Sequence, residues 1–176
     1  MKLDEFTSGA IYIDTNVWYM YLRADSAHQH ILTTFLGRVV RGAIEAFVSI
    51  LALDELFYRL LLARVKDATD RNPLEVLRTD LAGAIATHSD IINAALRKLM
   101  SLPHVHLVSV ETADFSGMLN SIRVYGLLPR DALHVTVMQR VGLTAIASDD
   151  TDFDRVATLT RHWVINPPRQ GVADTP

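Results

Sequence analysis

Four acidic residues, each at the edge of a different apolar or helical stretch, carry the chemistry this chain can do. They are Asp14 in IYIDTNV, Glu55 in LALDELF, Asp131 in PRDALHV and Asp150 in AIASDDTDF. Asp14 and Asp150 close apolar runs that read as buried strands, while Glu55 and Asp131 lie near the starts of predicted helices. In open α/β sheets the carboxyl ends of strands and the first turns of neighbouring helices share one rim, where sites form. Four carboxylates gathered on that rim repel one another strongly unless a divalent cation is bound between them. Oxygen donors of this kind point to Mg²⁺ or Mn²⁺ working on phosphates.

Each of these residues also has a simpler reading. Asp14 followed by Thr15 and Asn16 suits a turn after a strand, although Asn16 adds a further oxygen donor. Glu55 has Asp54 beside it, and spacing alone does not choose between them as the inward-facing charge. Asp131 follows Pro129 and Arg130 and so falls in a first helical turn, where a carboxylate complements the helix dipole without further duty. His134 shares its face, and a packed or capping histidine explains it better than a ligand. Asp149, Asp150, Asp152 and Asp154 crowd one turn, and alternation along the preceding strand puts Ser148 on the same side as Asp150. The pairs His28/His30 and His104/His106 read as surface or structural residues.

The elements that must position these groups alternate between short apolar runs and helical stretches, the pattern of an α/β domain with a mainly parallel sheet. Strands are expected at 10–16, 46–50, 104–110, 143–148 and 162–166. Helices are expected at 17–23, 27–41, 51–66, 74–101 with a break near Gly83, 111–125, 130–141 and 152–159. Pro73 and Pro129 suit helix starts, and Gly126 and Gly142 suit helix ends. No repeat or internal boundary is evident, so residues 1–166 read as one domain. The tail at 167–176 is expected to be disordered.

Composition narrows the function classes. With 49% hydrophobic and 21% charged residues the chain is ordinary globular material. It contains no cysteine, which excludes disulfides, thiolate zinc sites and cysteine nucleophiles. The acidic N-terminal residues do not suit a signal peptide, and the most apolar window is far too short to span a bilayer. A cytoplasmic protein without membrane contact is expected. The formal net charge of −3 is smaller than the four charges of the candidate site, and the basic residues are scattered. That argues against tight non-specific DNA binding and leaves selective nucleic-acid contact open. Dinucleotide-binding, P-loop, serine-hydrolase and zinc-protease fingerprints are all missing.

Taken together and in order, the four motifs resemble the PIN domain, most closely the toxin ribonucleases of VapC-type toxin–antitoxin pairs. IYIDTNVW resembles the family's first motif. SILALDELF resembles the second and assigns the role to Glu55. The unbroken block RDALHVTVMQRVGLTAIASDDTDFDRV resembles the third and fourth, with Asp131, Ser148, Asp150 and Asp152 at matching positions. The stretch between Glu55 and Asp131 departs from the shorter toxins, with the added length expected between 67 and 101.

The resemblance, covering about residues 10–166, implies a three-layer α/β/α sandwich around a sheet of four to five strands. It implies cleavage of RNA phosphodiesters with Mg²⁺ or Mn²⁺ held by Asp14, Glu55, Asp131 and Asp150. Asn16, Ser148 and Asp152 would orient ligands or waters around them. A cognate antitoxin partner and a homodimer follow from the same likeness. Two competing readings are a PIN nuclease of RNA processing and a non-catalytic interaction module that keeps the acidic cluster by descent.

Overall fold

The computed structural model describes residues 1–23 and 27–167. Its centre is a five-stranded, all-parallel sheet of β1 (Gly9–Ile13), β2 (Ile44–Ser49), β3 (Val105–Val108), β4 (Ala145–Ala147) and β5 (Thr160–His162). The strands run in the order β3-β2-β1-β4-β5. Chain order therefore reverses on either side of β1, and the switch point falls between the carboxyl ends of β1 and β4.

Among the described residues seven helices flank the sheet: α1 (Thr15–Leu22), α2 (Gln29–Val40), α3 (Ile50–Thr69), α4 (Pro73–Thr79), α5 (Leu81–Met100), α6 (Asp114–Tyr125) and α7 (Pro129–Arg140). Strand alternation explains how they divide into layers. Ile11, Ile13, Ala46, Val48, Ala145 and Ala147 point into a core shared with α1, α2, α3 and α5. Tyr12, Phe47 and Ile146 point the opposite way, towards α6 and α7. Two apolar faces on strands this short require cover on both sides, which is the three-layer sandwich.

Several boundaries differ from the sequence expectation, each for a local reason. The first strand stops at Ile13 because Asp14 caps α1, its Oδ1 accepting from the Thr15 amide at 2.7 Å. The long helix breaks at Asp80 and not at Gly83. Asp80 ends α4 and caps α5, accepting from the Gly83 amide at 2.9 Å. A Cβ on Gly83 would come within 2.1 Å of that carboxylate, so glycine keeps the cap in place.

The last strand ends at His162, where residues 162–166 were expected. The Asp149 carboxylate gathers the amides of Val164, Ile165 and Asn166 at 2.8–3.1 Å and bends the chain away. The expected helix at 152–159 is a single 3₁₀ turn over Thr151–Arg155. Of the tail expected to be disordered, residues 168–176 lie outside the described residues.

Candidate active site

Two backbone contacts set the site. The Asp14 amide donates to the Ala147 carbonyl at 3.0 Å, carrying the β1/β4 pairing one residue beyond the strands. The Ser148 amide donates to the His162 carbonyl at 2.9 Å, doing the same between β4 and β5. Asp14 and Ser148 are thereby fixed side by side at the switch point.

Asp14 is 7% exposed, and its carboxylate accepts from neutral donors only. Oδ2 accepts from Ser148 Oγ at 2.7 Å and from Asn16 Nδ2 at 2.6 Å, while Oδ1 takes the Thr15 amide. Asn16 Nδ2 also reaches Ser148 Oγ at 3.0 Å, and Asn16 Oδ1 accepts from the Asp149 amide at 3.1 Å. The Asp150 amide donates to Ser148 Oγ at 3.0 Å, and Asp150 Oδ1 accepts from the Asp152 amide at 2.8 Å. One hydrogen-bonded web therefore joins the residues expected at the first and fourth motifs. Asp152's own side chain turns to Arg155, 3.1 Å away.

Glu55 enters from α3. Its Oε2 lies 3.5 Å from Thr15 Oγ1, which also donates to the Ala52 carbonyl at 3.1 Å. Glu55 is half-buried on this side of α3, whereas Asp54 is exposed, which resolves the choice left open by spacing. Asp131 arrives in the first turn of α7, half-buried, with Pro129 at the helix start. Close packing of α6 on α7 holds that turn: a Cβ at Gly117 would fall 2.4 Å from the Thr136 methyl group.

The electrostatics tie these four elements together. Burial, opposed by hydrogen bonds from Ser148 and the Thr15 amide and reinforced by the Asp150 charge, pushes Asp14 up to about 6; Arg59 partly offsets the rise. Burial, followed by the charges of Asp150, Asp14, Asp152 and Glu55, pushes Asp131 up to about 6 as well. Acidic charge thus converges on one rim, and no ion pair among the described residues neutralises Asp14, Glu55, Asp131 or Asp150. Hard oxygen donors and uncompensated charge fit a divalent cation such as Mg²⁺ or Mn²⁺. As placed, no three His, Asp or Glu side chains among the described residues converge closely enough to form a finished cage.

The chain matches the PIN domain family model over residues 11–159. It belongs to the PIN domain family. Solved structures of similar fold include VapBC2 from Rickettsia felis bound to a DNA fragment from its promoter. That likeness has 11% identity and a TM-score of 0.59, covering 88% of this chain and 98% of that one. A toxin–antitoxin complex from Klebsiella pneumoniae aligns at 13% identity and a TM-score of 0.52, covering 86% and 96%. Mycobacterium tuberculosis VapC20, a sarcin-ricin loop cleaving toxin, aligns at 15% identity and a TM-score of 0.52, covering 84% and 95%. At these identities the likeness is one of fold. No curated protein sequence matches the chain.

Sequence reasoning missed a buried polar network beneath the PIN site. The Tyr12 hydroxyl lies 2.6 Å from Ser49 Oγ and 2.7 Å from His134 Nδ1, joining β1, the cap of α3 and α7. Burial pushes the Tyr12 hydroxyl well above its usual range and pulls His134 down to about 4, so both are neutral. Alternation in IYI was the available signal, since it turns Tyr12 away from Ile11 and Ile13 and towards α7. His104 and His106 are structural in the expected sense, both pairing with Glu45. Trp18 is fully buried in this chain's own core.

Proposed function

We propose that this PIN domain is a Mg²⁺- or Mn²⁺-dependent endoribonuclease and the toxin of a toxin–antitoxin pair. One observation carries the reading: Asp14 and Asp150 share a hydrogen-bonded web through Ser148 at the β1/β4 switch point, and their charges, with that of Glu55, bear on Asp131. A divalent cation bound by these four residues would neutralise a scissile phosphate, activate the attacking water and stabilise the leaving oxygen.

The protein's own residues prepare for this. Ser148 and Asn16 hold the Asp14 carboxylate in one orientation, so its free lone pairs are aimed before any ligand arrives. Thr15 does the same for Glu55, which can also accept a proton. The 3₁₀ turn at Thr151–Arg155 fixes Asp150 through the Asp152 amide.

The partner reading rests on the antitoxin-bound structures of similar fold and on a cleft between α1, α3 and α5. That cleft, of about 210 Å³, is lined by Leu22, Leu60, Ile91, Ile92 and Ala95 with Arg23 and Arg64 at its edge. It suits an amphipathic antitoxin segment, whose arginine would pair with the rim carboxylates and block them. Phe115 and Leu119 on α6, 60% and 50% exposed, supply apolar surface for a homodimer. Among the described residues no helix is long and apolar enough to cross a membrane, and a cytoplasmic location accords with an RNA substrate.

The test is cleavage of single-stranded or looped RNA by purified protein. Activity should require Mg²⁺ or Mn²⁺, stop with EDTA and be lost in Asp14→Asn. Equal cleavage by Asp14→Asn would remove the nuclease assignment from this rim.

A further inference from the structure

The seam between α1 and α3 is built in steps of one helical turn. At the acidic end Thr15 meets Glu55. One turn further along both helices, the Arg59 guanidinium carbon sits 4.6 Å from the centre of the Tyr19 ring. Beyond this pair lies an open cleft of about 240 Å³ lined by Tyr19, Arg59, Leu62, Ala63, Lys66 and Pro73. Its walls are thus one aromatic ring, two cations and a small apolar floor.

Arg59 combines two features, and Lys66 shares the first. Arg23 is tied to Asp67, Arg140 to Asp114 and Glu111, and Arg161 to Asp154. The Arg59 and Lys66 side chains form no hydrogen bond or ion pair with another described residue. Stacking on Tyr19 nonetheless holds the Arg59 plane in one place, which lowers the entropy lost when its donors engage a ligand. A fixed fork of free N–H donors one turn from the acidic rim matches a phosphodiester oxygen. The small open volume accommodates a short length of extended polymer better than a compact ligand.

We propose that this cleft holds the single-stranded RNA backbone next to the scissile phosphate. Arg59 grips one phosphate, Lys66 the following one, and the intervening base rests on the Leu62, Ala63 and Pro73 floor. Tyr19 is a positioning residue that acts through Arg59. The inference rests on the ribonuclease reading and extends it by giving the substrate a direction, along α1 and α3 and away from the rim. Combining cations with ring and apolar surface in this way is how single strands are held without sequence readout.

The experiment measures binding of a labelled single-stranded RNA oligonucleotide by the full chain carrying Asp14→Asn, across a salt series. Adding Arg59→Ala should raise Kd about tenfold or more, with Arg59→Lys recovering only part of the loss. Lys66→Ala, an exposed change that leaves the fold intact, should reduce the log–log salt slope by about 0.7. Tyr19→Leu should weaken binding and Tyr19→Phe restore it. RNA affinity and salt slope unchanged by Arg59→Ala and Lys66→Ala would overturn the cleft while leaving the nuclease reading standing. No RNA binding by the Asp14→Asn chain itself would remove that reading, and the cleft with it.

Discussion

Two buried aspartates show how differently one fold treats the same charge. Asp114, at the start of α6, is 2% exposed, and Asp14, at the end of β1, is 7% exposed. Burial pushes Asp114 upward, but hydrogen bonds from Arg140 and the Glu111 amide, with the Arg140 charge, leave it below the usual carboxylate range. Asp14 receives neutral donors only and faces Asp150, so it ends near 6. The protein satisfies a buried carboxylate with arginine where the carboxylate is structural. At the rim it supplies geometry without charge, which is what the proposed cation would need.

Substitutions should separate the two regions most sharply in activity. Asp14→Asn or Asp131→Asn is expected to lower RNA cleavage at least about a hundredfold, because each removes a charge that the proposed metal site needs. Without divalent cation the same changes should leave the melting temperature unchanged or slightly raised at pH 7, since they relieve repulsion. Asp114→Asn should behave oppositely, lowering the melting temperature by about 3–6 °C with little direct effect on cleavage at permissive temperature. Thermal melts and single-turnover cleavage on the same preparations check both halves of the contrast.

A second contrast lies within one dipeptide. Asp149 and Asp150 are neighbours, yet Asp149 binds three successive backbone amides and Asp150 turns to the rim. Asp149→Ala should therefore destabilise the fold by about 2 kcal/mol in urea unfolding. Asp150→Asn should shift the urea midpoint much less, because asparagine can keep the bond from the Asp152 amide, and should abolish cleavage. The opposite pairing of effects would mean that the two assignments are exchanged.

The pH dependence of stability sharpens the comparison further. Asp14 and Asp131 are pushed up to about 6 in the folded chain, above the ordinary aspartate value of 3.8. Between those values the folded chain holds protons that the unfolded chain has released. The stability these groups contribute is therefore complete below about pH 4 and lost as pH rises through 6. Saturating Mg²⁺ should reverse the trend, because the cation binds the ionised form. The smallest expected effect is Tyr12→Phe, which unpairs His134 and Ser49 and should cost about 1 kcal/mol.

Much of the sandwich was legible because its determinants are local. Apolar runs of β1, β2 and β4 alternate between two faces, and Pro73, Pro129, Gly126 and Gly142 mark helix ends at their expected places. The four acidic motifs were readable for the same reason, since each carboxylate's position follows from its own strand end or helix start. What sequence could not supply was pairwise. Asp149 ends β5 through amides some fifteen residues away. The Tyr12–His134 contact spans 122 positions, and the Tyr19–Arg59 pair joins two helices with α2 and β2 between them in the chain. Such partners are set by packing and not by spacing.

Titration with Mn²⁺, followed by calorimetry at pH 7, tests the proposed cation site at the rim most directly. The account predicts saturable binding by the wild-type chain that is retained in Asp114→Asn, lost or weakened at least about tenfold in Asp14→Asn, and weakened at pH 5 as Asp14 and Asp131 take up protons. Equal Mn²⁺ affinity in wild type and Asp14→Asn, or no binding by the wild type, would contradict it.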